Sequence, residues 1–392
     1  MTFETPARIE PCGIEETVPA ALTDLALEIR SSADSLGRHL HPDTASELRA
    51  VTRVMNAHYS NLIEGHITAP HEIEAALAYR YGDVENRTFA EEAVAHVRVQ
   101  EWIDRTHALG ELPEPTSAAF IADLHSHLYA AMPRDLRLSE HEGSRKEIVP
   151  GAFRVPGEEV VVGRHLPPSA SRVPAFLDHF AARYRGLTRD AIGRILCIPA
   201  AHHRLNYIHP FLDGNGRVSR LMSHAMCCTA GIDGSGLWSI SRGLARGLVD
   251  SAEYMKRMDA ADQPRRGDRD GRGNLSLATL TALTQWFLTV ILDQIRCMDA
   301  MFDPVPLVGR YTRLVADLHP GREHLPLLVA HVLNHGEMDR GDVIHVAGVP
   351  EHSAADDLGD LIRGGFLKAT THGAPIRISF PLEHRAWLFP GF

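Results

Sequence analysis

Apolar residues recur three or four positions apart along most of residues 17–303, the spacing that lines one face of an α-helix. The pattern predicts helices over 19–35, 44–62, 70–79 and 88–107, then over 115–131, 172–184, 189–208, 216–229, 241–260 and 275–302. Several open on Ser, Thr or Pro, which suit a helix start because its first N–H groups need an outside acceptor or none. The first two thirds of the chain therefore read as a helical bundle. One stretch departs from the pattern: 151–163 sets short apolar runs on either side of Pro156-Gly157, a turn signal, and predicts a small hairpin. Residues 263–274 are rich in Gly and charge and predict a mobile surface loop between two helices; a basic partner-binding loop is the alternative to a solvated insertion.

Beyond Phe302 the character changes. Asp303-Pro304-Val305-Pro306 suits a linker, and three short helical patterns follow, over 325–333, 339–346 and 350–363. Strand-like runs at 365–370 and 375–380 then flank a Thr-His-Gly turn. Helix-turn-helix followed by a hairpin is the order of a winged helix. The chain is accordingly mainly α, with an N-terminal helical region at 1–110, a core at 111–302 and a winged-helix-like domain at 303–392.

Composition narrows the class. At 392 residues the chain exceeds the usual single core, so two or three domains are expected. Hydrophobic residues at 44% and charged ones at 23% are ordinary for a globular protein, and no apolar run approaches the roughly 20 residues that cross a bilayer. Residues 1–13 are acidic and contain proline, with no basic stretch leading into an apolar one, so they do not read as a signal peptide and a cytoplasmic location is inferred. The five cysteines are scattered and form no C-x-x-C pair, which argues against a disulfide framework or a zinc ribbon. A formal charge of -10 makes the whole chain a poor binder of polyanions, though a local basic surface is compatible with it. The 24 histidines are densest at His202-His203, near His209, yet no H-E-x-x-H accompanies them, and satisfied or solvated histidines are the reading adopted.

The most informative run is His209-Pro210-Phe211-Leu212-Asp213-Gly214-Asn215-Gly216-Arg217-Val218-Ser219-Arg220. Glycines on both sides of Asn215, just before a helical pattern, let backbone N–H groups approach an anion at the positive end of a helix. Around that cradle stand an imidazole able to accept a proton (His209), a hard carboxylate ligand suited to Mg²⁺ (Asp213) and two guanidinium groups suited to phosphate (Arg217 and Arg220). Transfer at phosphorus needs these parts: a group to deprotonate the attacking hydroxyl, a metal ligand and charge neutralisation. An isolated Gly-Asn-Gly would be only a capped helix start; the full set points to chemistry.

The run matches the signature of Fic proteins, H-x-F-x-D/E-G-N-G-R-x-x-R, at every defined position, and the resemblance covers roughly 115–302. It implies an all-helical Fic-type bundle that transfers AMP from ATP to a protein hydroxyl. By that resemblance His209 is the general base, Asp213 holds Mg²⁺, and Asn215 with the Gly214 and Gly216 backbone binds the α- and β-phosphates. Arg217 is similar to the residue that steadies these phosphates and Arg220 to the one that clasps the γ-phosphate. The hairpin at 151–163 falls where the family keeps its flap, an edge that presents the target segment; a hairpin that only caps the bundle is the alternative.

A second element lies upstream, in Ser60-Asn61-Leu62-Ile63-Glu64-Gly65. Ser60 and Glu64 are four apart and share a helix face, while Gly65 suits the helix end. In Fic proteins S/T-x-x-x-E-G/N is the inhibitory motif, and its position resembles the class whose inhibitory helix lies N-terminal in the same chain. The resemblance implies that Glu64 pairs with Arg220 and keeps ATP out of its productive pose. It also leaves removal of AMP, or transfer of another nucleotide, as alternatives, and members of this class often form homodimers. The resemblance further implies that the target is a protein hydroxyl, on another protein or on the chain itself. A nucleotide-sensing DNA-binding regulator is the reading from another class, but the helix pattern 350–363 carries Glu351, Asp356, Asp357 and Asp360 against Arg363 and suits a major groove badly. With Lys368, His372 and Arg377 in the wing, DNA contact by 303–392 stays open behind a protein-docking role.

Overall fold

The computed structural model describes residues 4–15, 17–141, 144–371 and 373–391. In chain order the first helices are α1 (Ala20–Ser35), α2 (Pro42–Ile63), α3 (Pro70–Leu77), α4 (Arg87–Ala108) and α5 (Ala118–Ala130). A hairpin follows, β1 (Leu138–His141) with β2 (Ser144–Glu147), then α6 (Val173–Leu187), α7 (Ala191–Ile208), α8 (Asn215–Ala230), α9 (Ile240–Arg246), α10 (Glu253–Ala261) and α11 (Leu277–Phe302). The remainder holds α12 (Pro304–Leu318), α13 (Leu325–His335), β3 (Glu337–Met338), α14 (Val343–Ala347), α15 (Glu351–Arg363), β4 (Leu367–Lys368), β5 (Ile376–Ile378) and α16 (Arg385–Leu388).

Side-chain caps set several of these starts. The Asn86 oxygen accepts from Phe89 N–H before α4, Ser117 from Phe120 N–H before α5, and Asp190 from Gly193 N–H before α7. The chain forms two compact units, one of the described residues of 1–34, 56–233 and 239–294, the other of 35–55, 234–238 and 295–392. In the first, α7 and α8 pack along each other, with α6 against α7, and α4 and α5 against α8. Ile195, Ile198, Leu205 and Ile208 of α7 and Val218, Leu221, Met222 and Ala225 of α8 are buried, so the loop joining these helices rests on the least yielding part of the unit. The second unit contains α12 to α16 and an antiparallel sheet of order β3-β5-β4.

The helical periods predict most of the observed helices, α16 not among them, and the structure corrects the reading at several places. The hairpin lies at Leu138–Glu147, not at 151–163, where an isolated Val162–His165 bridge is the pairing among the described residues. The strands read Leu-Ser-Glu-His and Ser-Arg-Lys-Glu, with little β-branching, so they left no signal; in 151–163 the Arg154 N–H bonds the Pro210 carbonyl at 2.8 Å instead of a neighbouring strand. The helix expected over 241–260 is two, because Gly247 takes φ 66° and a Cβ there would lie 2.1 Å from the Asp250 carbonyl oxygen. Asp303-Pro304 starts α12 rather than forming a linker: Pro304 occupies the first turn and the Asp303 carboxylate accepts from Val305 N–H at 3.0 Å. The helix expected over 339–346 is confined to Val343–Ala347 after a single tight turn at Arg340–Asp342, and β3 was not foreseen.

Asp270 organises the 263–274 loop, accepting from Arg266 N–H at 2.9 Å and Ala278 N–H at 2.8 Å. His372 of the expected wing lies outside the described residues. Among the described residues no helix is long and apolar enough to cross a membrane.

Candidate functional site

The connection from α7 to α8 is where the polar residues gather. α7 ends at Ile208, and His209 turns the chain with φ 50° and ψ 62°, a left-handed conformation uncommon for a residue with a side chain. Arg154 holds that turn. Its buried guanidinium donates to the carbonyl oxygens of His209 at 2.7 Å, Pro168 at 3.0 Å, Glu158 at 3.2 Å and Ile208 at 3.3 Å. Segment 151–163 therefore grips the His209 loop from outside through one arginine. Burial, with the Arg154 charge adding to it, pushes the His209 pKa down to about 4. The imidazole is neutral at pH 7 and able to take a proton. Beside the loop, a groove of about 200 Å³ is lined by the apolar Ile148, Val149, Phe153, Val155 and Leu212, with His125, Glu147 and Glu158 among them.

The next five residues build an anion cradle. Gly214 takes φ 79° against the Tyr129 ring, where a Cβ would sit 2.9 Å from the ring and its hydroxyl. The first bond of the α8 ladder runs from Val218 N–H to the Gly214 carbonyl at 2.9 Å, so the N–H groups of 215–217 face the open end of the helix. The Asn215 side chain braces the loop: its oxygen accepts from Phe211 N–H and its nitrogen donates to the Phe211 carbonyl, both at 2.9 Å. Asp213 accepts from Gly214 N–H at 2.7 Å and from the Tyr129 hydroxyl at 3.0 Å. Burial would raise its carboxyl, but Arg217 and these donors outweigh that and hold it below the usual carboxylate range. With its side chain 41% exposed, it is an ionised oxygen donor open to a hard cation.

Both arginines of the run are engaged. Arg217 donates to the Tyr129 hydroxyl at 2.7 Å, to Glu92 Oε1 at 2.8 Å and to Asp213 Oδ2 at 3.3 Å. Arg220, 2% exposed, donates to the Ser60 hydroxyl at 2.9 Å, to the Ser60 carbonyl at 3.0 Å and to Glu64 Oε1 at 2.6 Å. Glu64 follows the last turn of α2, which closes with His66 N–H on the Asn61 carbonyl at 2.9 Å and Gly65 at φ 81°. Its carboxylate reaches over the cradle itself: a Cβ on Gly216 would lie 2.2 Å from Glu64 Oε1. Burial opposes this charge, but Arg220 and then Arg217 keep the Glu64 pKa below its ordinary value. Ser60, Glu64, His209, Asp213, Gly214, Gly216, Arg217 and Arg220, 160 positions apart at the extremes, thus meet at one helix start.

A family model for the Fic/DOC family matches residues 115–227. That span holds α5, the β1–β2 hairpin and the whole α7–α8 connection. The chain carries a Fic/DOC domain. The protein adenylyltransferase Fic of Aedes aegypti is 35% identical over 81 residues, covering 21% of this chain and 16% of that protein. The one from Drosophila mojavensis is 32% identical over 111 residues, covering 28% and 22%. The chain spans about a fifth of the length of these curated relatives. A Fic family protein from Desulfovibrio desulfuricans G20 shares the fold over 96% of this chain and 98% of its own, with a TM-score of 0.54 at 16% identity. A Fic domain containing signaling protein from Bacteroides thetaiotaomicron VPI-5482 does so over 70% and 95%, with a TM-score of 0.52 at 18% identity.

Three residues that steady the Fic domain's site escaped the sequence reading: Tyr129 on α5, Arg154 in the segment before α6, and Glu92 on α4. None lies near the signature run, and each is joined to it only by folding. A signal existed for one of them. Glu92 sits among apolar residues in Ala90-Glu91-Glu92-Ala93-Val94, where an acid on an otherwise buried helix calls for a partner.

Proposed function

We propose that this chain is a self-inhibited protein adenylyltransferase that moves AMP from ATP to a hydroxyl on a target protein or on itself. The observation that carries the reading is the Glu64 carboxylate, which lies on Arg220 and over Gly216, where an anion would bind at the start of α8. A carboxylate held there stands in for a phosphate, and ATP must displace it. The adenylyltransferase relatives and the signature residues support AMP as the group transferred.

In the open state the N–H groups of 215–217, with Arg217 and Arg220, would take the triphosphate. Asp213 would hold Mg²⁺, for which its ionised and partly exposed oxygens are suited; the cation would neutralise charge on the phosphates. His209, neutral at pH 7, would accept the target hydroxyl proton as that oxygen bonds to the α-phosphorus, and the bond to pyrophosphate breaks. The groove beside Phe153 and Leu212 is suited to a side chain neighbouring the modified residue.

For 304–391 the helices α12 to α15 and the three-stranded sheet support a winged-helix reading, and the acidic α15 favours docking to protein over DNA. Asp360 is bonded to Arg322 at 2.5 Å and Asp357 is engaged by Arg322 and His324, while Glu351 and Asp356 stay exposed on α15. The test of the main reading is incubation of wild type, His209→Ala and Glu64→Gly with ATP and Mg²⁺, followed by mass spectrometry. AMP adducts that increase in Glu64→Gly and vanish in His209→Ala support it; release of AMP from pre-modified protein without any adduct formation would reverse the direction of the reaction.

A further inference from the structure

The segment after Glu64 has a second tie to the cradle. His66 Nδ1 lies 2.6 Å from Glu92 Oε2, and the other oxygen of the same carboxylate accepts from Arg217 Nη1 at 2.8 Å. The Glu92 side chain is 6% exposed, a depth at which a carboxylate persists only when paired. The seat of His66 is defined by more than charge: its ring stacks on Phe89 at 4.2 Å and 8°, and Asn61, five residues earlier, donates to the Phe89 carbonyl at 2.9 Å. α4 is thus a rail on which the end of α2 rests, and Glu92 is the point where the rail meets the phosphate-binding arginine.

We propose that Glu92 is a positioning residue shared by the cradle and the inhibitory segment: one oxygen fixes the Arg217 guanidinium, and the other, through His66, holds Glu64 above Gly216. The inhibitory segment is then fastened at two arginines, Arg220 directly and Arg217 through Glu92. This rests on the reading of Glu64 as an inhibitor. Opening the switch requires both ties to part, and Glu92 keeps Arg217 in place after they do. Without Glu92, Arg217 would retain Tyr129 and Asp213 as its side-chain hydrogen-bond partners among the described residues.

The test measures automodification of the full chain with α-labelled ATP for His66→Ala, His66→Gln and Glu92→Gln, each in the wild-type and Glu64→Gly backgrounds. His66 is 29% exposed on its side chain, so its truncation is compatible with folding, and His66→Gln retains a hydrogen-bond donor toward Glu92. In the wild-type background His66→Ala raises the basal rate about three- to tenfold, the worth of one ordinary hydrogen bond acting on Glu64 at one remove, and His66→Gln raises it less. In the Glu64→Gly background His66→Ala adds nothing, because the segment it restrains no longer carries the carboxylate. There Glu92→Gln raises KM for ATP several-fold with little change in kcat, as expected of a residue that aims a phosphate ligand. An equal effect of His66→Ala in both backgrounds, or no effect in wild type while Glu64→Gly activates, overturns the shared role of Glu92 and leaves the inhibitory reading standing. Failure of Glu64→Gly itself to activate overturns that underlying reading instead.

Discussion

Replacing Glu64 by Gly removes the carboxylate from Arg220 and frees the space over Gly216, with little collateral cost. Glu64 lies beyond the last residue of α2, so a Gly there breaks no helical turn. The contact removed is one short charge-assisted bond, 2.6 Å to Arg220, from a side chain that is 32% exposed. Bonds of this kind contribute about 1.5–3 kcal/mol, and partial exposure favours the lower half of that range. About 1.5–2 kcal/mol corresponds to roughly a ten- to thirtyfold gain in kcat/KM for ATP. That is smaller than the hundredfold or more that a fully buried pair would allow.

The Ser60 bonds to Arg220, at 2.9 and 3.0 Å, remain in the variant and keep the guanidinium aimed along α8. The assay is the initial rate of automodification with α-labelled ATP over a series of ATP concentrations, beside a direct measurement of ATP affinity. KM should fall and AMP incorporation should rise. Equal ATP affinity and equal incorporation in wild type and variant would refute the reasoning, because they would mean that the carboxylate over Gly216 does not compete with phosphate.

In the Glu64→Gly background, His209→Ala should reduce AMP transfer by about 10²–10⁴-fold while leaving ATP binding unchanged by calorimetry, as expected for loss of a general base. Arg154→Lys should lower kcat by about tenfold or more at unchanged KM for ATP, because one ammonium cannot reach the carbonyls of Glu158, Pro168, Ile208 and His209 together; steady-state kinetics separates the two parameters. Stability should decline on the acid side. Burial depresses His209 and His125 to about 4 and His202 to about 3, from 6.5, so these rings are neutral in the fold while the unfolded chain binds protons below 6.5. Their contribution is present in full above pH 6.5 and is lost as pH falls toward 4, where the His209 depression alone corresponds to about 3 kcal/mol. Urea midpoints at pH 7.5, 6 and 5 should fall in that order, and a flat series would contradict it.

Local features were legible along the chain because local physics produces them. An apolar residue every three or four positions can be buried only by a helix, and α1 to α8 lie where that spacing puts them. The run from His209 to Arg220 is contiguous, so its base, metal-binding acid, cradle and arginines could be read together, and the four-residue spacing from Ser60 to Glu64 already put both on one face. The β1–β2 hairpin could not be read, since its pairing is a matter of backbone bonds between polar strands. The same holds for the partners that make the site a device. Tyr129 on Asp213, Arg154 on the His209 carbonyl, Glu92 between His66 and Arg217, and the 2.6 Å contact of Glu64 with Arg220 join residues 26 to 156 positions apart. Sequence by itself determined which chemical groups are available and which helix face carries each. Only the tertiary packing of α2, α4 and α5 on α8 decided which charges meet in a partly buried site, where pairing, not residue type, sets whether a group is held, shifted or free to react.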